Sequence, residues 1–436
     1  MNPVLRPALR RLLSVPLMLL SLGVQAGDTP SLDTGNAGWI LTSTALVLFM
    51  TLPGLALFYG GLVRSKNVLN VLMQCFSIAC VSSLLWYLVG YSIAFAPGNG
   101  FMGGLDRIGL AGMEESSLSG TLPESVFVMF QMTFAVITPA LIIGGIAERA
   151  RFSAVMLFSA AWLLCVYAPV THWVWGGGWL QQMGLLDFAG GTVVHVTAGV
   201  ASLVSALVVG NRHGFGQTAM PPHNMTMTVT GAGMLWVGWF GFNAGSALAA
   251  NGDAGMAMLV THLSAAAGAF TWLCVEWVRF GKPSALGAVT GMVAGLGTIT
   301  PASGFVGPAA AVLIGCTAGV ACFFATLWLK RVMSVDDSLD VFPVHGVGGV
   351  LGTLAAGVFA SSGLGIFSGQ GLREGVSIAS QLATQACGVV SVALYTAVVT
   401  WALLKLIGMI TPLRVSIEEE TEGLDVVLHN ERGYDL

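Results

Sequence analysis

Apolar runs of about twenty residues recur along this 436-residue chain from residue 37 to residue 410, and nothing else in it constrains the fold as strongly. A helix needs about 20 apolar residues to cross a ~30 Å hydrocarbon core, where every backbone polar group must be satisfied within its own segment. Eleven candidate spans follow, at roughly 37–61, 69–96, 125–147, 152–176, 188–210, 224–248, 254–278, 284–303, 308–329, 343–360 and 380–410. The expected fold is therefore one all-α polytopic bundle of eleven transmembrane helices in a lipid bilayer. Charged residues make up 9% of the chain, against about a quarter in a soluble domain. With a net charge of -4 and scattered basic residues, no face tracks a phosphate backbone, which excludes nucleic acid as a partner.

Arg6, Arg10 and Arg11 precede a short apolar run ending in Val24-Gln25-Ala26, the pattern of a signal peptide over residues 1–26. An extra first transmembrane helix is the competing reading. With the mature start outside, the inner loops hold Arg64, Lys66, Arg149, Arg151, Arg212, Arg279, Lys282, Lys330 and Arg331, and the outer loops only Arg107 and Arg373. That bias places the N terminus outside and the C terminus in the cytoplasm, as in a multi-pass protein of the cell inner membrane. A transmembrane domain over 27–410 then gives way to an acidic tail, 411–436, with Glu418, Glu419, Glu420, Glu422 and Asp425. Such a run reads as a solvated tail, although Leu424, Val426, Val427 and Leu428 offer an edge for docking on the bundle or a partner. The seven cysteines lie in apolar segments without CxxC spacing, so they read as small core residues.

Two segments repeat one pattern. DFAGGTVVH at 187–195 and DSLDVFPVH at 337–345 each place a carboxylate eight residues before a histidine, at the start of spans five and ten. Those spans enter from opposite sides, as a five-plus-five inverted repeat requires, and such repeats build their site near the midplane. Eight helical residues descend ~12 Å, so His195 and His345 can meet there. Ionisable groups in a span usually mark a path for an ion or proton, and two facing imidazoles can share a hydrogen bond across a narrow passage. His172 and His262 read as structural. Asp187 reads as a helix cap whose charge also helps a cation shed water at the outer mouth. Phe130 with Phe134, Trp175, and Trp239 with Phe242 and Ser246 sit in the outer half at helical spacing; such a stripe usually belongs to the core or an interfacial belt, and the competing reading is a cation site, since ring faces attract a desolvated cation by ~1 to 2 kcal/mol. Glycines at four-residue spacing, such as Gly287, Gly291 and Gly295, read as close helix packing.

The chain resembles the ammonium transporter family (Amt/Mep/Rh), and its Amt branch in particular. The matching stretches are FYGGLVRSKN at 58–67, FAVITPALIIGGIAER at 134–149, HWVWGGGWL at 172–180, DFAGGTVVH, WFGFNAGS at 239–246, DVFPVHGVGG at 340–349 and EGLDVVLHNERGYD at 422–435. The resemblance implies a homotrimer with one pore per subunit and no cofactor. It implies an outer ammonium site at Phe130, Trp175, Trp239 and Ser246, an essential carboxylate at Asp187, a phenyl gate at Phe134 and Phe242, and twin pore histidines at His195 and His345. It also implies a tail that couples subunits and contacts a PII-type signal protein. Ammonium would lose its proton and cross as ammonia, and the residues leave open whether that proton follows through the histidines. Two other classes compete: an ammonium sensor signalling through the tail, and an intramembrane metalloenzyme built on His195 and His345, for which no third ligand is evident.

Overall fold

The computed structural model describes residues 31–362 and 372–435, and the leader over residues 1–26 lies outside them. Among the described residues nine helices are long and apolar enough to cross a membrane. They are α1 Thr34–Leu62, α2 Ser65–Phe95, α3 Glu124–Gly145, α4 Phe152–Gln182, α5 Gly191–Val209, α7 Gly252–Phe280, α9 Pro308–Arg331, α10 Phe342–Phe359 and α11 Ile378–Gly408. Between them run α6 Met225–Gly245 and the shorter α8 Ala285–Ile299. A two-residue antiparallel hairpin, Leu118–Ser119 with Leu122–Pro123, bridges α2 to α3.

The helix starts follow from short polar side chains that accept orphan N–H groups. Asp33, Asn224, Asn251, Ser284 and Ser377 each accept a backbone N–H three residues on. Helix α8 stops at Ile299, short of the expected 303: Thr300 keeps helical φ and ψ, but Pro301 has no N–H with which to continue the helical ladder. Helix α5 starts at Gly191 rather than 188. Gly190 stands at φ 117°, a left-handed value open to glycine, and turns the chain into the helix.

Glycine sets the distances between helices. Gly291 and Gly295 of α8 lie against Gly268, Ser264 and Trp272 of α7, so these glycines are packing residues. A close approach also joins α5 to α10. A Cβ on Gly199 would collide with the Gly346 backbone, and one on Gly349 would stand 2.8 Å from the Gly191 carbonyl and 2.9 Å from His195 Cβ. Because 191 faces 349 and 199 faces 346, the two helices cross antiparallel. That crossing carries both histidines into the core.

The tail is docked on the bundle, as the apolar edge at Leu424 allowed, and is not the solvated run that its charge suggested. Helix α12, Ile417–Glu422, starts with a capping box between Ser416 and Glu419, and α13 spans Leu424–His429. Leu424, Asp425 and Glu420 are buried. Asp425 accepts from Leu69 and Asn70 N–H at the start of α2 (3.0 and 2.7 Å), and Leu424 N–H donates to Asn67 Oδ1. Glu420 accepts from His213 N–H and Arg414, and Tyr434 Oη lies 2.9 Å from His223. The loops beneath form one ionic core. Glu148 accepts from Arg64, Asn67 and Arg212, while Arg212 grips Asp336 with two bonds of 2.8 Å. Burial alone would raise both carboxyls, but the arginines outweigh it and hold Glu148 and Asp336 below their ordinary values.

Candidate functional site

On the side opposite the tail, a vestibule of about 180 Å³ is lined by Phe127, Gln131, Phe134, Trp175, Phe188 and Ser246 among others. Trp175 is fixed by its indole N–H, which donates to the Asp187 carbonyl at 2.8 Å. Ser246 donates to the Phe242 carbonyl, which leaves its oxygen free to accept. The floor is Phe134 on Phe242, with ring centroids 4.3 Å apart and planes tilted by 34°. Both rings are buried. Phe130 supports this floor edge-on at 5.1 Å from Phe134 rather than lining the vestibule.

Beneath the rings lies a cavity of about 10 Å³, at the threshold for a single water. Its walls include Ile137, Leu141, Val194, Leu235, Trp239 and Phe242, and it ends on His195 and His345. The two Nδ1 atoms are 3.2 Å apart and the rings are nearly parallel, at 20°. One Nδ1 must donate and the other accept, so at least the accepting ring is neutral and the two rings present their Nδ1 atoms in opposite roles. His195 Nε2 is buried with no hydrogen-bond partner. Trp239 sits here, stacked on His195 at 5.5 Å with its indole N–H on Thr300. The expectation that Trp239 lines the outer site is thus corrected: the 3.6-residue period placed it on a face with Phe242 but not at the right depth.

Each histidine rides on a wide turn of π-helix, Gly191–Val196 and Phe342–Val347, of a kind often found at functional sites. In the first, His195 N–H reaches back to the Gly190 carbonyl. Asp187 builds this turn: it accepts from the N–H groups of Gly190, Gly191, Thr192 and Val193 and from the Thr192 hydroxyl. Its carboxylate is buried in its own cap and does not line the vestibule. In the second turn Asp337 accepts from Phe342 N–H at 2.6 Å. Pro343 is accommodated in that first turn, where its missing N–H removes no helical bond. His172 is held between the Ala94 and Asn99 carbonyls, and His262 stacks on Trp236. Neither joins the lumen. Among the described residues no three of His, Cys, Asp and Glu gather as a metal site would require. Tyr59, which lines the cavity and donates to the Leu141 carbonyl, went unremarked in the sequence, although it stands in the FYGGLVRSKN stretch.

A family model described as the Ammonium Transporter Family matches residues 38–434. The chain belongs to the ammonium transporter family. Its relatives include the ammonium transporter of Bacillus subtilis, 48% identical over 89% of this chain and 96% of that protein, and ammonium transporter Amt1 of Archaeoglobus fulgidus, 43% identical over 92% and 100%. Among solved structures, one titled Sensor Amt Protein superposes with a TM-score of 0.85 at 30% identity, covering 91% of this chain and 98% of that one. Saccharomyces cerevisiae Mep2 superposes at 0.81 and 37%, covering 89% and 92%. Membership in this family of transporters and the apolar helices together make the chain a multi-pass membrane protein.

Proposed function

We propose that this protein transports ammonium across the cell inner membrane as a homotrimer with one pore per subunit. In this reading residues 1–26 are removed, α6 and α8 are crossings like the other nine helices, and α1–α5 and α6–α10 form an inverted repeat. The N terminus is outside and the tail cytoplasmic. Ammonium enters the outer vestibule, where Trp175 offers a ring face and Ser246 an acceptor. Phe130 backs the gate, and Asp187 contributes a fixed negative field. Passing between Phe134 and Phe242 strips the last waters. A bare cation in the apolar lumen is costly, so ammonium gives its proton to vestibule water at the gate, ammonia moves past His195 and His345 and takes a proton from water on the far side, and the histidine pair relays the proton separately. Potassium has no proton to leave and stays outside. Trp239 acts deeper, as the wall that fixes His195. The docked tail provides a regulatory surface for a PII-type signal protein.

The observation that carries this reading is the pair of facing imidazoles, 3.2 Å apart, at the end of an apolar cavity too small for a hydrated ion. The test is ammonium- and potassium-evoked current in proteoliposomes bearing wild type, His195→Leu or His345→Leu. If the pair relays the proton, each variant loses about a hundredfold of the ammonium current, the low end of what a positioned proton-transfer group contributes. Wild-type current with intact potassium exclusion in both variants rejects the histidines as relay and filter. The second reading, an ammonium sensor, draws on the docked tail and on the likeness to the solved Sensor Amt Protein; a wild type that carries no ammonium would favour it.

A further inference from the structure

Beyond His345 the lumen opens toward the tail into a second cavity of about 110 Å³, whose lining includes Tyr59, Thr290, Val293, Lys330, Asp340 and His345. A carboxylate and a primary ammonium therefore share a small chamber with a pore histidine. Asp340 stands at φ 61°, a left-handed backbone that aspartate tolerates better than most side chains. Lys330, in the last turn of α9, places Nζ 2.6 Å from Asp340 Oδ1. Both side chains keep contact with water, at 30% and 23% exposure, while Asp340 Oδ1 itself is buried and its contact with Lys330 is an ion pair without hydrogen-bond alignment.

This pair differs in kind from its neighbour. Arg212 grips Asp336 through a buried two-point fork, the geometry that guanidinium shares with carboxylate and that a compact ion cannot copy. Lys330 meets Asp340 at one oxygen, through a group whose charge, size and N–H donors are close to those of ammonium itself. A small ammonium ion can replace that contact, and the only obstacle is the tether. A short tether holds its group at millimolar effective concentration, so the lysine keeps the carboxylate until free ammonium reaches that range.

We propose that Asp340 is an ammonium site at the cytoplasmic mouth of the pore, normally occupied by Lys330 as a built-in competitor. This rests on the transport reading above and adds a direction to it. Ammonium arriving from the outer vestibule meets no such rival. Ammonium approaching from the cytoplasm must displace Lys330 before it can wait beneath His345. Transport inward and outward therefore saturate at different concentrations, and Lys330 sets the difference.

The experiment measures the ammonium concentration dependence of flux in right-side-out and inside-out membrane vesicles containing the full chain. In Lys330→Gln, half-saturation from the cytoplasmic face should fall about fivefold or more relative to half-saturation from the outer face, the scale of losing a tethered rival. Lys330→Arg, which keeps a cation at the site, should stay near the wild-type ratio, and adding Asp340→Asn to Lys330→Gln should abolish the gain. An unchanged ratio in Lys330→Gln, or an equal shift on both faces such as a merely structural change would give, overturns the proposal while leaving transport intact. Absence of ammonium flux in the wild type overturns the transport reading and this proposal with it.

Discussion

The turns that carry His195 and His345 are built on one plan and finished differently. Each is a π-helical turn with an aspartate eight residues before its histidine. Asp187 gathers five donors from its own turn, which satisfies an ionised carboxylate in a buried place. Asp337 accepts from Phe342 N–H and, at 3.4 Å, from the Ser202 hydroxyl. Burial, and then the nearby Asp340, push its carboxyl up to about 6, against the partial relief of those bonds. One turn holds a settled carboxylate, ringed by donors, and the other a reluctant one. On the transport reading proposed above, the two mouths of the pore are electrically unlike, even where the backbone is close to symmetric.

The largest expected effect comes from removing the settled charge. Asp187→Ala strands four N–H groups and a hydroxyl, and each buried unpaired group costs about 1–3 kcal/mol. The α5 turn should loosen and ammonium uptake should vanish, whereas Asp187→Asn keeps part of the cap and leaves a folded, poorly active protein. Uptake into proteoliposomes, normalised to the monodisperse fraction on gel filtration, checks both variants. Full uptake by a folded alanine variant would show that Asp187 is a cap and nothing more, and would break the electrical contrast.

An intermediate effect is expected at the reluctant charge, and pH sets its sign. Asp337 titrates higher folded than unfolded, so its contribution to stability is full below the unfolded value near 4 and is lost as pH rises through about 6. Asp337→Asn should therefore be more stable than wild type at pH 8, by about 3 kcal/mol, since a tenfold change in proton affinity is worth about 1.4 kcal/mol. The advantage should disappear below about pH 4. Glu148 and Asp336 run the other way: their lowered values stabilise the fold above about pH 4 and lose that contribution in acid. Thermal melts in detergent at several pH values test this, and a gap that does not change with pH would refute the assignment.

The smallest effect on the bundle is expected from deleting residues 418–436, since no spanning helix is lost. The α2 start loses Asp425 as a cap, worth about 0.5–2 kcal/mol, so the melting point should fall by only a few degrees. Binding of a PII-type protein, measured by pull-down, should be lost. Unchanged binding would move that contact to the loops.

The sequence revealed most where one rule dominates. Span length follows from hydrocarbon thickness, so all eleven apolar segments contain helices within a few residues of where hydropathy placed them. His195 and His345 were legible because an ionisable group in a span is rare and two at matched spacing are rarer. Depth was less legible. Trp239 and Ser246 share a stretch but face different chambers, since helical period reports a face and says little about how neighbouring helices stagger. Docking of the tail was legible in its apolar edge and masked by its charge: Glu420 and Asp425 are buried because residues distant in sequence, His213 in a loop and Asn70 at the start of α2, supply their donors.

The contact of Gly199 with Gly346, and of Gly349 with the Gly191 carbonyl, also bears on how such a protein varies. The gap between the histidines is gauged by peptide resting on peptide, with no rotamers in between to average over. Side chains on the lumen wall can be exchanged, altering polarity or bulk, while the gauge stays put. Chemistry and calibre are thus inherited separately, the first through the wall residues and the second through four glycines at the helix crossing.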